Sequence, residues 1–195
     1  VAGYEVMCRL GRALKPADHY DRGFHPTATT GAFGATVSAG RALGLSAEQL
    51  SMALGICLSQ ASGSMQFLVN SAWTKRFQVG NAAMVGVIAA SLASQGFVGA
   101  SEAIEGDCGF LRSYAPDPDP SLAIAGLREH WETLQIGVKP YPSCRFSHAA
   151  IDGIIDIAAP GIEASKIALL GRNPIKKAVK ATMYTEFANI TMMLV

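Results

Sequence analysis

"FQVGNAAMVGVIAASLASQGFVGAS", residues 77–101, contains no charged side chain. It is longer than the roughly 18 residues at which a membrane span has to be considered. A second uncharged stretch, residues 49–74, raises the same question. Both read as core helices of a large helical protein. The first is built on Ala, Gly and Ser, with Asn81 and Gln95 inside and few Leu, Ile or Phe. The second is broken by "SQASGS" and then by "NSAWTK". A helix apolar on most sides is what the centre of such a protein requires.

The composition agrees. Half of the 195 residues are hydrophobic and 16% are charged, against a usual share of about 25%. That length supports a sizeable core. The net charge of +1 gives no electrostatic case for nucleic acid or an anionic membrane as partner. Cys8, Cys57, Cys108 and Cys144 are scattered, with no CxxC pair. This argues against a zinc site and for reduced thiols in a cytoplasmic setting. Cys144, beside Arg145, reads as a buried, inert thiol. No basic region precedes an apolar stretch at the start, so no signal peptide is read. The chain opens on Val1, inside an apparent helix, and stops on apolar "ITMMLV". It therefore reads as part of a longer protein.

Residues 1–114 read as helices. "LSAEQLSMALGICLSQA" begins with a capping box, Ser46 at the N-cap and Gln49 three residues on. Leu50, Ala53, Leu54, Cys57 and Leu58 follow at helical spacing. "SEAIEGDCGF" reads as a short helix, acidic at its start and ended by glycine. "APDPDP", residues 115–120, forms a stiff Pro/Asp linker. Residues 121–195 then read as the start of an α+β region. Strands are expected within 131–142 and 165–171, and a helix over 147–159. The fold class is thus mainly α: a large helical domain followed by part of a smaller α+β domain.

The chemistry-bearing residues cluster at helix entrances. Pro26 suits the first position of the helix "TATTGAFGATVSAGRALG". His25 then stands at or next to the N-cap, where an anion is welcome. The plainer reading is a histidine that caps a turn through a backbone bond. Gly31, Ala32, Gly34, Ala35, Ala39 and Gly40 let another backbone approach this helix. "WTKRFQVGNAA" sets Lys75 and Arg76 ahead of a second small-residue helix. "GVKPYPSCRFSHAAID" sets Lys139 and Arg145 near His148, again at a helix start. Basic clusters at these entrances suit a substrate with several carboxylates, through charge-assisted bonds. His19, beside Asp18 and Asp21, reads as a surface histidine. His130 reads as part of an exposed helical turn. No phosphate loop, dinucleotide fingerprint or HExxH motif is present.

Four segments together carry a resemblance: "RGFHPTATTGAFGA", "TKRFQVGNAAMVGVIAASLASQGFVG", "IEGDCGF" and "KPYPSCRFSHAAIDG". In order and spacing, over roughly residues 1–170, the chain resembles the MmgE/PrpD family. That family includes 2-methylcitrate dehydratase, cis-aconitate decarboxylase and iminodisuccinate epimerase. The resemblance implies a large all-helical domain, here residues 1–114, the linker 115–120, and a partial α+β lid domain, 121–195. The tail "KKAVKATMYTEFANITMMLV" departs from the family's pattern. The family also has an upstream helical segment with an aspartate-rich motif and a further histidine, which would precede Val1. The resemblance implies homodimers without metal or organic cofactor, and an active site in a cleft between the domains.

Carried over by motif position, His25, Lys75, Lys139 and His148 are the catalytic candidates. Arg76 and Arg145 are substrate-binding candidates. The expected function is a lyase acting on a small polycarboxylate such as 2-methylcitrate or cis-aconitate. Proton transfer at a carbon next to a carboxylate would drive dehydration or decarboxylation. The lysines would stabilise the developing charge and His25, ahead of His148, would move the proton. The alternatives are an epimerase of the same build and a non-catalytic helical remnant.

Overall fold

The computed structural model describes residues 1–143 and 145–158. In chain order the helices are α1 (Ala2–Ala13), α2 (Pro16–Asp21), α3 (Pro26–Ala42), α4 (Ala47–Leu58), α5 (Phe67–Asn70), α6 (Thr74–Ser94), α7 (Phe110–Tyr114), α8 (Ser121–Ile124) and α9 (His148–Ala158). Short 3-10 turns lie at Glu132–Gln135 and Arg145–Ser147. Among the described residues there is no strand, only an isolated antiparallel bridge between Phe24 and Ser64. The chain forms two compact units. One comprises Val1–Val69 with Phe77–Ile136, and the other Asn70–Arg76 with the described residues from Gly137 onward.

The first unit is built around α3. Its run of small residues serves the purpose their size suggests. A Cβ on Gly34 would lie 2.6 Å from the carbonyl oxygen of Gly3 and 3.1 Å from Met7 Cβ. Any side chain there would push α1 away. The core gathers Leu10, Ala13 and Leu14 with Phe33, Ile56, Cys57, Val85, Phe110 and Leu111. Phe33 and Phe110 meet with ring centroids 4.5 Å apart, and Phe110 passes the contact on to Tyr114 at 4.9 Å. Such ring pairs each add about 0.5–1.5 kcal/mol beyond burial.

The capping box of α4 forms as the sequence predicts. Ser46 Oγ accepts from the Gln49 N–H at 3.2 Å, and Gln49 Oε1 accepts from the Ser46 N–H at 3.0 Å. The stretch 49–74 is not one helix: α4 ends at Leu58, and bends and the short α5 follow. By length and composition α6 could cross a membrane. Its Ala82, Val85, Gly86, Ala89, Ala90 and Ala93 are buried, while Phe77, Met84, Val87, Ile88 and Leu92 are exposed.

Other expectations are corrected. Residues 101–109 form consecutive turns, and the helix α7 begins only at Phe110. The Gly106 N–H donates to Glu102 O and the Gly109 N–H to Gly106 O, and Glu102 takes a left-handed backbone (φ 53°), so separate turns replace a continuous helix. The strand expected within 131–142 is absent. There the amides of Glu132 and Thr133 donate to the Glu5 carboxylate instead of to a neighbouring strand. Pro140 and Pro142 also lack the N–H that a ladder needs. The strand expected over 165–171 and the reading of Cys144 lie outside the described residues.

Residues 115–136 run as a strap across α1. The Asp119 N–H donates to Ala13 O at 2.8 Å, and Lys15 pairs with Asp117. Buried Arg9 donates to Ala125 O at 2.7 Å and to His130 O at 2.6 Å. Buried Glu5 accepts from the Thr133 hydroxyl at 2.6 Å, from two strap amides and from Arg9. The Thr133 hydroxyl bond is the largest cause holding the Glu5 carboxyl down at about 2. Arg12 pairs with Glu132. His130 is exposed, as expected, but follows a run of turns at residues 125–129 rather than lying in a helix.

Candidate active site

His25 is the N-cap residue of α3, and Pro26 takes the first helical position. Its carbonyl accepts from the N–H groups of Ala28 (2.9 Å) and Thr29 (3.1 Å) and so starts the helix. The side chain makes no capping bond. It turns instead toward α6, where Nδ1 lies 2.9 Å from Gln78 Oε1. Phe67 meets the ring edge-on, with centroids 5.3 Å apart. The backbone is fixed as firmly: His25 N–H donates to Gly63 O at 2.9 Å, and Met65 N–H donates to Gly23 O at 2.8 Å. His25 is therefore a buried, singly oriented imidazole.

His19 is not a surface residue. It is fully buried on the inner side of α2. Nδ1 lies 3.0 Å from Tyr114 O and Nε2 lies 2.9 Å from Thr29 Oγ1. A carbonyl only accepts, so Nδ1 carries the proton and Nε2 accepts from the threonine hydroxyl. Burial pushes its pKa down, against the opposing effect of the Tyr114 bond. Asp18 and Asp21 suggested solvent, yet in a helix opened by Pro16 the residue between them turns inward.

The remaining candidates belong to the second unit. Lys75 and Arg76 occupy the first turn of α6, both part-buried. The Arg76 guanidinium lies 5.6 Å from the centroid of the Trp73 ring. Lys139 is exposed on an irregular segment that bends through Pro140 and Pro142. His148 opens α9 and is buried. Its Nδ1 lies 3.1 Å from the Arg145 guanidinium and its Nε2 lies 3.3 Å from Ser143 O. A guanidinium only donates and a carbonyl only accepts. The neutral ring of His148 thus carries its proton on Nε2, and both ring nitrogens are engaged. Tyr141 meets its ring edge-on at 5.3 Å and donates its hydroxyl to Asp152. Beneath lie the buried Ser143 and Ser147, their hydroxyls 2.8 Å apart.

The structure therefore brings Arg145 and His148 into direct contact. It places Lys75, Arg76 and Lys139 in the same unit as that pair. Gln78, Tyr141 and Ser143 escaped the sequence reading because amides and hydroxyls carry no charge signal. Gln78 did lie within the quoted "TKRFQVGNAA", one helical turn after Lys75. Among the described residues, no three of His, Cys, Asp and Glu gather as a metal-binding group.

Comparison with known proteins bears directly on these motifs. The chain is 30% identical over 161 residues to the cis-aconitate decarboxylase of Aspergillus terreus, covering 79% of this chain and 33% of that protein. It is 30% identical over 192 residues to the cis-aconitate decarboxylase of Homo sapiens, covering 96% of this chain and 38% of that protein. The enzyme of the same name from Mus musculus is 35% identical over 163 residues, 80% of this chain and 31% of its own length. The chain thus spans about a third of the length of the curated relatives it matches. The model of the MmgE/PrpD N-terminal domain matches residues 1–123, which include His25 and Lys75. By that match and these relatives, the chain belongs to the MmgE/PrpD family.

Proposed function

We propose that this chain is the part of a lyase that binds a small polycarboxylate and moves a proton at a carbon next to one of its carboxylates. The observation that carries the reading is a buried, singly oriented histidine at a helix start, in a chain whose relatives are named cis-aconitate decarboxylases. Cis-aconitate is accordingly the first substrate to test and 2-methylcitrate the second.

In a decarboxylation the bond from carbon to the departing carboxylate breaks and its electron pair stays on the carbon. Carbon dioxide leaves, and the carbon takes a proton. In a dehydration a proton leaves the carbon next to a carboxylate and hydroxide departs from its neighbour. Both pass through negative charge shared with a remaining carboxylate. Lys75 and Lys139 hold that charge as fixed cations, with Arg76 and Arg145 orienting carboxylates through their planar forks. His25 transfers the proton. His148 has both ring nitrogens engaged and serves as the support that aims Arg145. The family's dimeric build is part of the same proposal, and the exposed apolar side of α6 supplies a surface for a second copy.

A thermal-shift panel with citrate, 2-methylcitrate, cis-aconitate and neutral controls tests the reading, run on the parent and on Lys75→Ala. The expected result is a rise in melting temperature with one polycarboxylate, lost in the variant, followed by turnover of that compound in the intact protein. No selective shift and no turnover of any of them would overturn it in favour of a non-catalytic helical module.

A further inference from the structure

We propose that Gln78 is a positioning residue that sets which nitrogen of His25 carries the proton. The inference rests on the reading of His25 as the proton-transfer group. Its physical basis is separate from that reading and lies within the first unit.

The Gln78 amide is anchored at both ends. Its Nε2 lies 2.7 Å from the backbone carbonyl oxygen of Ser64, and its Oε1 lies 2.9 Å from His25 Nδ1. The Ser64 carbonyl can only accept, so the amide nitrogen must face it. The amide oxygen is thereby turned toward the imidazole. That oxygen has no hydrogen to give, so Nδ1 must be the donor. A neutral His25 is therefore the Nδ1–H tautomer, and Nε2 carries the basic lone pair. One backbone carbonyl thus sets the place of the proton on the ring.

The surroundings hold this arrangement in place. Ser64 is itself fixed by its bridge to Phe24, the residue before His25. Gly63 lies under the pair. A Cβ there would sit 2.5 Å from Ala28 Cβ, 3.3 Å from Gln78 Oε1 and 3.6 Å from His25 Cβ. The loop thus holds the histidine backbone, holds the glutamine amide and keeps clear the space where they meet.

An amide differs from the carboxylate that often orients a histidine. A carboxylate fixes the tautomer but also favours the charged imidazolium. Gln78 fixes the tautomer without adding charge. The Nδ1–H bond to the amide oxygen persists whether or not Nε2 takes up a proton. That suits a group that must take up a proton and release it again in one cycle.

Nitrogen-15 spectra of the histidine rings in the folded chain, with His25 assigned by its loss in His25→Asn, read the tautomer directly. The parent should show a protonated Nδ1 and a lone-pair Nε2. Gln78→Met, which removes the acceptor at similar size, should lose that pattern. Gln78→Glu, which keeps an acceptor oxygen at Nδ1 and adds a charge, should keep Nδ1 protonated while favouring the charged ring. A parent with the proton on Nε2, or an unchanged pattern in Gln78→Met, overturns the assignment. In the intact enzyme Gln78→Met should lower kcat by at least about tenfold with KM little changed, and Gln78→Glu should recover part of the loss. Unchanged kcat in Gln78→Met, where His25→Asn is inactive, overturns the positioning role. If His25→Asn itself keeps full turnover, the catalytic reading of His25 fails, while the tautomer result stands or falls on the spectra alone.

Discussion

His19 and His25 lie six positions apart and both are buried, yet they are built for different work. His19 gives one ring nitrogen to a carbonyl and the other to a hydroxyl in the core. Its pKa is pushed below the usual 6.5 by burial, so protonation is resisted in the folded state. The unfolded chain then binds more protons below about pH 6.5, and stability must fall as pH drops through that range. Urea midpoints between pH 7.5 and 5 should decline for the parent and decline less for His19→Gln. His25 instead presents its ring to a glutamine on another helix. Sequence alone placed His25 at its helix cap but misplaced His19, because neighbouring aspartates say nothing about which way a short helix turns its one inward residue. For Lys75, replacement by alanine should lower kcat/KM of the intact enzyme at least tenfold, about 1.4 kcal/mol of transition-state stabilisation. Steady-state kinetics on cis-aconitate would measure it.

Among the elements, the helices with caps and small-residue faces were legible. The box at Ser46, the proline at the start of α3 and the close backbone approach at Gly34 appear where the residues put them, while Gly31 and Gly40 face side chains. What was not legible is structure set by distant partners. The segment around Glu132 has the look of a strand, and it becomes a 3-10 turn because a carboxylate far away in sequence takes its amides. Two glycines of α1 and α3 with contrasting surroundings give a direct test of the packing. Gly34→Val would drive its side chain into the Gly3 carbonyl and should cost about 1–3 kcal/mol. Gly11→Ala meets nothing within 4 Å and should gain about 0.5–1 kcal/mol through the better helix former. Chemical denaturation of both variants separates a real helix crossing from a general intolerance of change in these helices.

For the whole molecule, the strap over α1 is the feature that composition could not suggest. A chain with 16% charged residues places Glu5 and Arg9 in the interior to hold residues 125–133. The carboxyl of Glu5 is lowered from 4.5 to about 2. Its contribution is therefore complete above pH 4.5 and lost as pH falls from there toward 2. Glu5→Ala should speed hydrogen exchange at Glu132 and Thr133 while leaving α3 protected, as followed by amide exchange at neutral pH. Self-association belongs to this scale too. If the exposed side of α6 pairs with a second copy, Ile88→Glu should turn a dimeric mass into a monomeric one by light scattering at micromolar concentration. A parent already monomeric would count against that pairing.

The placement of the aromatic residues has an optical consequence. The chain holds two tryptophans, one in each compact unit. Trp131 stands at the head of the 3-10 turn in the strap, and Trp73 lies beside Arg76 in the second unit. Both are exposed, 48% and 79%, so both emit from a wet environment in the native state. Trp73→Phe and Trp131→Phe would each leave a single fluorophore that reports on one unit alone. Coincident emission changes from the two variants during heating would mean the units melt together. Separate ones would give each unit its own transition, read from the chain's own tryptophans with no added label.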